Sequence, residues 1–253
     1  MISKIYALGD IHNNYRALKQ VLKKAKFDYE NDTLISLGDI VDGGVEGTYE
    51  CVEELLKIKN LIPIKGNHDE WFLRWLNSGT HPDNWIQGGY TTARSYLKII
   101  GKEDLKYFGY LTALLPSDIP LTHWKFFASQ RLYYVDDKDR CFVHGGFDRQ
   151  QFIAEQAKIH PSELYWNREL LQEAMSCTGD QKLKLKDNFT QVYLGHTSTT
   201  IWGTDKPIMK GGIINLDTGA GEGKGKLTIM NVEDGTYVQS STTRSLYPDF
   251  KPR

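Results

Sequence analysis

The sequence contains little cysteine and no long apolar run. Its three cysteines, Cys51, Cys141 and Cys177, cannot form a disulfide framework and none has CxxC spacing, so we expect reduced thiols. No apolar stretch approaches the roughly 18 residues that a membrane-spanning helix needs. The N-terminus enters a strand-like pattern at once, which leaves no room for a signal peptide. These features predict a soluble cytoplasmic protein with no membrane partner.

The sequence also lacks an excess of charge of either sign. Its 253 residues include 31 Lys and Arg against 32 Asp and Glu, which gives a formal net charge of −1. Proteins that bind nucleic acid usually present a basic surface, so no nucleic-acid partner is expected. The chain is long enough to bury a large core, and no Ser/Gly-rich linker or low-complexity tract divides it. We therefore predict a single domain over residues 1–253.

Three short β-rich segments in the first quarter of the chain each end in a glycine that is followed by polar residues. Residues 4–8, 33–37 and 61–64 are predicted strands, and apolar residues at helical spacing follow the first two, with Asn13 as the expected N-cap of the first helix. Because the carboxyl ends of parallel strands meet at one edge of a sheet, their polar residues should lie together. The three turns read Gly9-Asp10-Ile11-His12, Gly38-Asp39-Ile40-Val41-Asp42 and Gly66-Asn67-His68-Asp69.

The rest of the chain is first helical and then β-rich. Residues from about 70 to 130 are helical and aromatic, and we interpret them as an insertion over the site, with Trp71, Trp75 and Trp85 packing in its interior. Strands are predicted at 132–135, 140–143, 192–194, 213–217, 226–230 and 237–240, and no pattern follows Thr243. Two of these strands end in His144-Gly145-Gly146 and Gly195-His196-Thr197.

The residues at the strand ends form a plausible ligand set for two metal ions. Mixed oxygen and nitrogen ligands suit Mn, Fe or Zn better than Ca or Mg. Six ligands exceed the need of one tetrahedral ion but fit two divalent ions that share the Asp39 carboxylate. Two such ions activate a bridging water and clamp the oxygens of an in-line displacement at phosphorus. The six are Asp10 and His12 on one ion, Asn67, His144 and His196 on the other, and Asp39 as the bridge.

One further histidine lies beside these residues with a different expected task. His68 follows Asn67 directly, and an imidazole is suited to act as the general acid that protonates a leaving oxygen. Asp42, three residues after Asp39, is the expected carboxylate that orients His68.

Taken in order, the five glycine-bearing motifs resemble those of the phosphoprotein phosphatase family, within the calcineurin-like metallophosphoesterases. The stretches Trp85 to Gly89, Trp166-Asn167-Arg168 and Leu216 to Ala220 are similar to its bacterial and phage-lambda-type branch of serine/threonine phosphatases. The resemblance implies a fold of two packed mixed β-sheets flanked by helices, of the α/β (α+β) class. It also implies a dinuclear, usually Mn-activated phosphoester hydrolase in which Asn67 and Arg168 contact the substrate phosphate.

The chain departs from the family pattern at two positions. The family's second motif normally ends Asp-Arg-Gly, but Gly43 stands at the arginine position, and Asn13 replaces a glycine in the first motif. Without that guanidinium a phosphate dianion loses a bidentate contact. A diester or pyrophosphate would then fit, or Arg74 or Arg94 would supply the charge from the insertion.

These observations favour a phosphomonoester hydrolase acting on a phosphorylated protein or a small phosphoester. The alternative within the enzyme class is a dinucleoside polyphosphate (diadenosine tetraphosphate) hydrolase or phosphodiesterase. The alternative outside it is a metal-bound regulatory or scaffold protein, which the complete set of six ligand residues argues against.

Overall fold

A computed structural model of the protein describes residues 3–102 and 113–250. The strands within those residues are β1 (Ile5–Leu8), β2 (Thr33–Ser36), β3 (Asn60–Pro63), β4 (Tyr133–Val135), β5 (Arg140–Val143), β6 (Gln191–Leu194), β7 (Ile208–Lys210), β8 (Ile213–Asn215), β9 (Thr228–Asn231) and β10 (Tyr237–Gln239). The α-helices are α1 (Tyr15–Ala25), α2 (Thr48–Leu55), α3 (Asn67–Ser78), α4 (Gly89–Ile99), α5 (Leu121–Ser129), α6 (Ile153–Ile159), α7 (Glu163–Trp166), α8 (Glu169–Met175) and α9 (Thr243–Leu246).

The strands form two mixed five-stranded sheets. The first has the order β10-β9-β1-β2-β3, in which β1, β2 and β3 are parallel and β9 is antiparallel to both of its neighbours. The second has the order β4-β5-β6-β8-β7, in which β5, β6 and β8 are parallel and the two edge strands are antiparallel. The predicted class, two mixed sheets flanked by helices, is confirmed.

The two sheets pack face to face through large apolar side chains. Ala7 and Ile35 of the first sheet belong to the same buried cluster as Phe142, Tyr193 and Ile214 of the second. Phe142 and Tyr193 stack with their ring centroids 4.8 Å apart. Because parallel strands are buried on both faces, their sequences are largely apolar, as in Ile5–Leu8.

Helices cover the outer faces of both sheets. The apolar sides of α1 to α5 bury the outer face of the first sheet in one cluster, and α6 to α8 do the same for the second sheet. Helix α1 begins at Tyr15, one residue later than the start that Asn13 as N-cap would give. Its N-cap is Asn14, whose side chain accepts from the Ala17 N–H, and the predicted cap Asn13 lies outside the helix with φ +63°. The expectation for Asn13 was wrong.

The segment predicted as a helical insertion holds α3, α4 and α5, although its residues 103–112 lie outside the described ranges. These helices share the core of α1 and α2, which supports our proposal that the chain is one domain. The sequence after Thr243 has no clear pattern, and the structure shows that Thr243–Leu246 form α9, where Asn14 donates to the Thr243 hydroxyl. Within residues 3–102 and 113–250, none of the helices has the length and apolarity to cross a bilayer.

We expect the interface between the sheets to be a main source of stability. Phe142→Ala should lower the free energy of unfolding by about 3–5 kcal/mol, because the fully buried ring leaves a cavity against Tyr193. Urea titration of the metal-free protein measures the change. The matched control is Ile159→Ala, at a side chain that is 69% exposed on α6, where we expect a change within about 0.5 kcal/mol. Equal effects of the two substitutions would contradict this account of the core.

Candidate active site

The predicted ligand residues lie together where five strands end. Asp10, Asp39 and Asn67 follow β1, β2 and β3 of the first sheet, and His144 and His196 follow β5 and β6 of the second. All five side chains are buried. The turns meet so closely that glycine is required in two of them. A Cβ at Gly195 would lie 2.1 Å from Asp10 Oδ1, and one at Gly66 would lie 2.0 Å from Asp39 Oδ1.

These residues form two groups that share one carboxylate. Asp10, His12 and Asp39 bring their oxygen and nitrogen atoms within 4.8 Å of one another, and so do Asp39, His144 and His196. Asp39 Oδ2 lies 3.8 Å from His12 Nε2 and 3.3 Å from His144 Nε2. The two groups are therefore candidates for the two predicted metal sites, with Asp39 in both.

Backbone carbonyls fix which nitrogen of each imidazole is available as a ligand. The Nδ1 atom of His12 lies 3.1 Å from the Val41 carbonyl oxygen, and that of His144 lies 2.7 Å from the Leu37 carbonyl oxygen. In His196 it is Nε2 that faces a carbonyl, that of Trp166 at 3.3 Å. Because a carbonyl only accepts, each of these nitrogens carries a proton. The other ring nitrogen is left to bind a metal.

Two further contacts fit a cation better than a site made of protein atoms alone. Asp10 Oδ1 is buried and has no hydrogen-bond partner among the described residues. The Asn67 amide oxygen lies 3.1 Å from His144 Nε2, so two acceptors face each other whenever the imidazole is neutral. A cation in the first group would satisfy Asp10 Oδ1, and one in the second group would satisfy both Asn67 and His144. Two carboxylates, an amide and three imidazoles are a suitable donor set.

The buried charges in this region strongly perturb one another. Burial alone would lower the pKa of His144, but the Asp39 and Asp10 carboxylates outweigh it and raise that pKa to about 10. For the Asp39 carboxylate burial acts in the opposite direction and would raise the pKa, but the imidazoles of His144 and His68 hold that pKa well below its usual range. Burial and the Asp217 carboxylate raise the pKa of Asp10. Without metal, a proton on His144 partly neutralises the carboxylates, and metal binding would displace that proton.

His68 and Asp42 form the expected pair beside these groups. His68 Nδ1 lies 3.1 Å from Asp42 Oδ2, and the His68 and His12 ring centroids are 5.2 Å apart. The other oxygen of Asp42 accepts from the Trp85 indole N–H at 3.0 Å and from the Thr92 hydroxyl at 2.7 Å. These two donors belong to the helical insertion, so the insertion orients the carboxylate that orients His68.

Arg168 lies next to the second group of ligands. Its Nη1 donates to the His196 carbonyl at 3.1 Å and to the Thr197 hydroxyl at 2.7 Å, while the residue as a whole remains exposed. Of the alternative arginines, Arg94 forms an ion pair with Glu46 at 2.9 Å, and Arg74 lies exposed in the second half of α3. Of these three arginines, Arg168 is the one that donates hydrogen bonds to a turn that carries a predicted ligand.

The glycine at the family's arginine position is fixed by a close backbone contact. A Cβ at Gly43 would lie 1.8 Å from the His12 carbonyl oxygen, so this backbone admits no side chain there. The Thr91 hydroxyl donates to the Gly43 carbonyl at 2.7 Å and so holds the turn in place. Asn13, the second departure, accepts from the Thr48 hydroxyl at 2.6 Å and donates to the Thr91 hydroxyl at 3.0 Å. Gly43 and Asn13, the two positions that depart from the family pattern, therefore both lie where the turns after β1 and β2 contact the insertion.

Asp69 joins two of the ligand-bearing turns. Its Oδ1 accepts from the Ile40 N–H at 2.8 Å, and its Oδ2 accepts from the Gly66 N–H at 3.2 Å and from the Gln130 amide at 2.7 Å. The side chain is fully buried and lies next to Asp39. It therefore fixes the turn after β2 relative to the turn after β3.

Sequence reasoning missed the parts of the site that come from the insertion. Trp85 was expected to pack, and Thr92 was not identified. The available signal was that residues 85–89 resemble a family motif, but this resemblance did not indicate that Trp85 contacts Asp42. The Gly88 backbone contacts Asp42 so closely that a Cβ there would lie 2.7 Å from the Asp42 carbonyl carbon.

Comparison with known proteins agrees with this geometry. A model of the calcineurin-like phosphoesterase family matches residues 3–200. Serine/threonine-protein phosphatase 1 of Salmonella typhimurium is 28% identical over 85 residues, which covers 34% of this chain and only 38% of that protein. A symmetrical bis(5'-nucleosyl)-tetraphosphatase of Pseudomonas putida is 24% identical over 295 residues, which covers 92% of this chain and 91% of that protein.

The fold is also that of solved structures. A serine/threonine phosphatase from Saccharomyces cerevisiae superposes with a TM-score of 0.57 at 14% identity, covering 99% of this chain and 83% of that one. At this level of identity the similarity shows the fold alone.

We predict that Asp69 contributes to stability through its three accepted hydrogen bonds. Asp69→Asn replaces one acceptor oxygen with a donor that faces another buried donor, so the free energy of unfolding should fall by about 1–3 kcal/mol. Chemical denaturation of the metal-free protein measures this change. Asp137→Asn, in the exposed β4–β5 turn, is the matched control and should have little effect. An unchanged stability of Asp69→Asn would show that the carboxylate does not join the two turns.

Proposed function

The chain belongs to the calcineurin-like phosphoesterase family, and on that basis we propose that it is a dinuclear metal-dependent phosphoester hydrolase with His68 as general acid. The observation that carries the proposal is the shared position of Asp39 between two groups of ligands, with the His68–Asp42 pair directly beside them. Asp10, His12 and Asp39 would hold one divalent ion. Asp39, Asn67, His144 and His196 would hold the other. Mn is the proposed metal, with Fe or Zn as alternatives.

Two divalent ions held by these residues would lower the pKa of a bridging water and neutralise charge on the phosphoryl oxygens. The protein's own residues would position the remaining groups. Asp42 would accept from His68 Nδ1, and the Nε2–H of the imidazolium form would give its proton to the leaving oxygen, which leaves a neutral imidazole still hydrogen-bonded to Asp42. Direct attack by water on phosphorus requires no phosphorylated side chain.

Arg168 is the proposed phosphate contact. Both of its acceptors lie on residues 196 and 197, so the guanidinium is positioned by the same turn that carries the ligand His196. A planar guanidinium pairs well with phosphate oxygens, and its other nitrogens would face the substrate. Asn67 is proposed to contact the phosphate through its amide as well as serving as a ligand.

Two substrate classes are consistent with the site. Bacterial serine/threonine phosphatases among the relatives support a phosphomonoester, either on a protein or on a small molecule. The lack of an arginine at position 43 favours a phosphorus that carries less charge than a monoester dianion, as in a diester or a pyrophosphate. A dinucleoside polyphosphate is such a substrate, and the tetraphosphatase of Pseudomonas putida aligns over most of both chains.

We expect His68→Asn to separate acid catalysis from metal binding. The variant should bind both metal ions, because His68 is not in either group of ligands. Its turnover of alkyl phosphates, which have poor leaving groups, should fall by about 10²–10⁴-fold, and its turnover of p-nitrophenyl phosphate much less. His160→Asn, at an exposed histidine, is the matched control and should leave both rates unchanged. An equal loss on good and poor leaving groups would contradict the assignment of His68 as general acid.

The reaction class is tested by hydrolysis of p-nitrophenyl phosphate and bis(p-nitrophenyl) phosphate with chelator-stripped protein, with and without added Mn. We expect hydrolysis only with metal. Faster cleavage of the monoester would support the phosphatase, and faster cleavage of the diester would support the second substrate class. Analysis of products from diadenosine tetraphosphate then separates the nucleotide hydrolase, which must release nucleotides. Activity that is independent of metal would overturn the proposed function.

A further inference from the structure

Two tryptophans connect the proposed general acid to the second group of ligands. The Trp71 ring contacts the His68 imidazole with the centroids 4.6 Å apart, and the Trp166 ring contacts the Trp71 ring at 5.4 Å. Trp166 also contacts the His196 imidazole at 5.6 Å, with the two planes 85° apart. These centroid distances lie in the range that aromatic pairs prefer, about 4.5–7 Å. We name Trp71 and Trp166 together the indole wall.

The two indoles of the wall differ in their exposure to solvent. Trp71 lies buried on α3, whereas Trp166, the last residue of α7, is 40% exposed. Both ring neighbours of Trp166, Trp71 and His196, border the candidate site. The exposed part of Trp166 therefore lies at the rim of the site, on the side where Trp71 covers His68.

Backbone contacts fix the segment that carries Trp166. The Trp166 carbonyl faces His196 Nε2 at 3.3 Å, and the Gly145 N–H donates to the Leu164 carbonyl at 2.8 Å. The segment is thus held by both ligand-bearing turns of the second sheet, the one after β5 and the one after β6. A ring that is already fixed in place loses little conformational freedom when a ligand packs on it.

The position of His68 indicates where the leaving group lies. A general acid must be within hydrogen-bond reach of the oxygen that it protonates, so the group bonded to that oxygen lies beside His68. His68 is bordered by the Asp42 carboxylate, the His12 imidazole and the Trp71 indole. Asp42 and His12 belong to the acid pair and to the first group of ligands. The indole wall is the apolar border, and it reaches solvent at Trp166.

We propose that the indole wall contacts the leaving group and selects esters whose leaving oxygen is bonded directly to an aromatic ring. The inference rests on the proposed phosphoester hydrolysis and adds Trp166 as a residue that determines its specificity. A ring on the leaving oxygen is close enough to pack against the wall, whereas a small alkyl group offers it little flat surface. Exposed apolar side chains are common, and Trp124 on α5 is 37% exposed. Trp166 differs in that its ring contacts join it to His196 and, through Trp71, to His68.

The experiment compares an aryl ester with an alkyl ester whose leaving groups need protonation to a similar degree. Phenyl phosphate and hexafluoroisopropyl phosphate meet this condition, because their two alcohols have similar acidity. On the metal-loaded protein, Trp166→Ala should lower the ratio of kcat/KM for the aryl ester to that for the alkyl ester about tenfold, mainly through KM. Trp166→Phe, which keeps a ring, should restore much of the ratio. The matched control Trp124→Ala removes an equally exposed indole and should leave the ratio unchanged.

A second measurement does not depend on turnover. Benzylphosphonate carries a methylene in place of the leaving oxygen of phenyl phosphate and cannot be hydrolysed, and ethylphosphonate lacks the ring. In titration calorimetry, Trp166→Ala should weaken the binding of benzylphosphonate about tenfold relative to that of ethylphosphonate. The substitution keeps the backbone carbonyl that faces His196, so the variant should hold as much metal as the wild type.

The other outcomes count against the inference. Equal losses on the two esters would mean that Trp166 supports the fold or His196 and does not contact the leaving group, and an unchanged ratio would mean that the leaving group lies elsewhere. If the wild-type protein cleaves the alkyl ester as efficiently as the aryl ester, the selection for aryl esters fails while the hydrolase stands. If the metal-loaded protein cleaves neither ester nor p-nitrophenyl phosphate, the proposed function fails too.

Discussion

The candidate site depends on a backbone that reverses direction immediately after each strand. Five non-glycine residues of these turns have positive φ, between 47° and 67°: His12, Asn13, Asp39, Asp42 and His196. Such conformations cost of the order of 1–3 kcal/mol each and persist only where the surroundings impose them. The turns impose them on one another, because the Asp39 carbonyl accepts from both the Ile11 and the His12 N–H groups. The turns follow strands of the two packed sheets, which are rigid. The strained backbone of these five residues therefore holds the ligand atoms in a fixed arrangement.

The helical insertion contacts the turns after β1 and β2 and fixes the side chain of Asp42. Helix α4 contributes Thr92 to Asp42, the turn before it contributes Trp85, and the same helix contributes Thr91 to the Gly43 carbonyl. The ligands come from the two sheets, whereas the orientation of the acid pair comes from the insertion. The proposed metal binding and leaving-group protonation therefore rely on different parts of the chain.

Much of the architecture could be predicted because its signals are local. Apolar runs that end in glycine and a polar residue mark the strands, and parallel strands necessarily bring Asp10, Asp39 and Asn67 together. The contacts between turns were not predictable, because no periodicity reports which loops touch. Asn13 was misassigned as a cap for that reason, since its partners Thr48 and Thr91 lie far along the chain. The link from Trp85 to Asp42 was missed likewise. The roles of the six ligands, His68 and Arg168 stay predictions, which the geometry supports by bringing the residues together.

The contact between Gly43 and the His12 carbonyl also bears on how this protein can evolve. A mutation from glycine to arginine needs a single nucleotide change, yet here the new side chain would collide with the backbone of the neighbouring turn. Introducing the cation would require the turn after β1 to move first, and that turn carries two of the proposed ligands. On this backbone a cation for the phosphate must therefore come from outside the Gly43 turn, as the proposed contact Arg168 does.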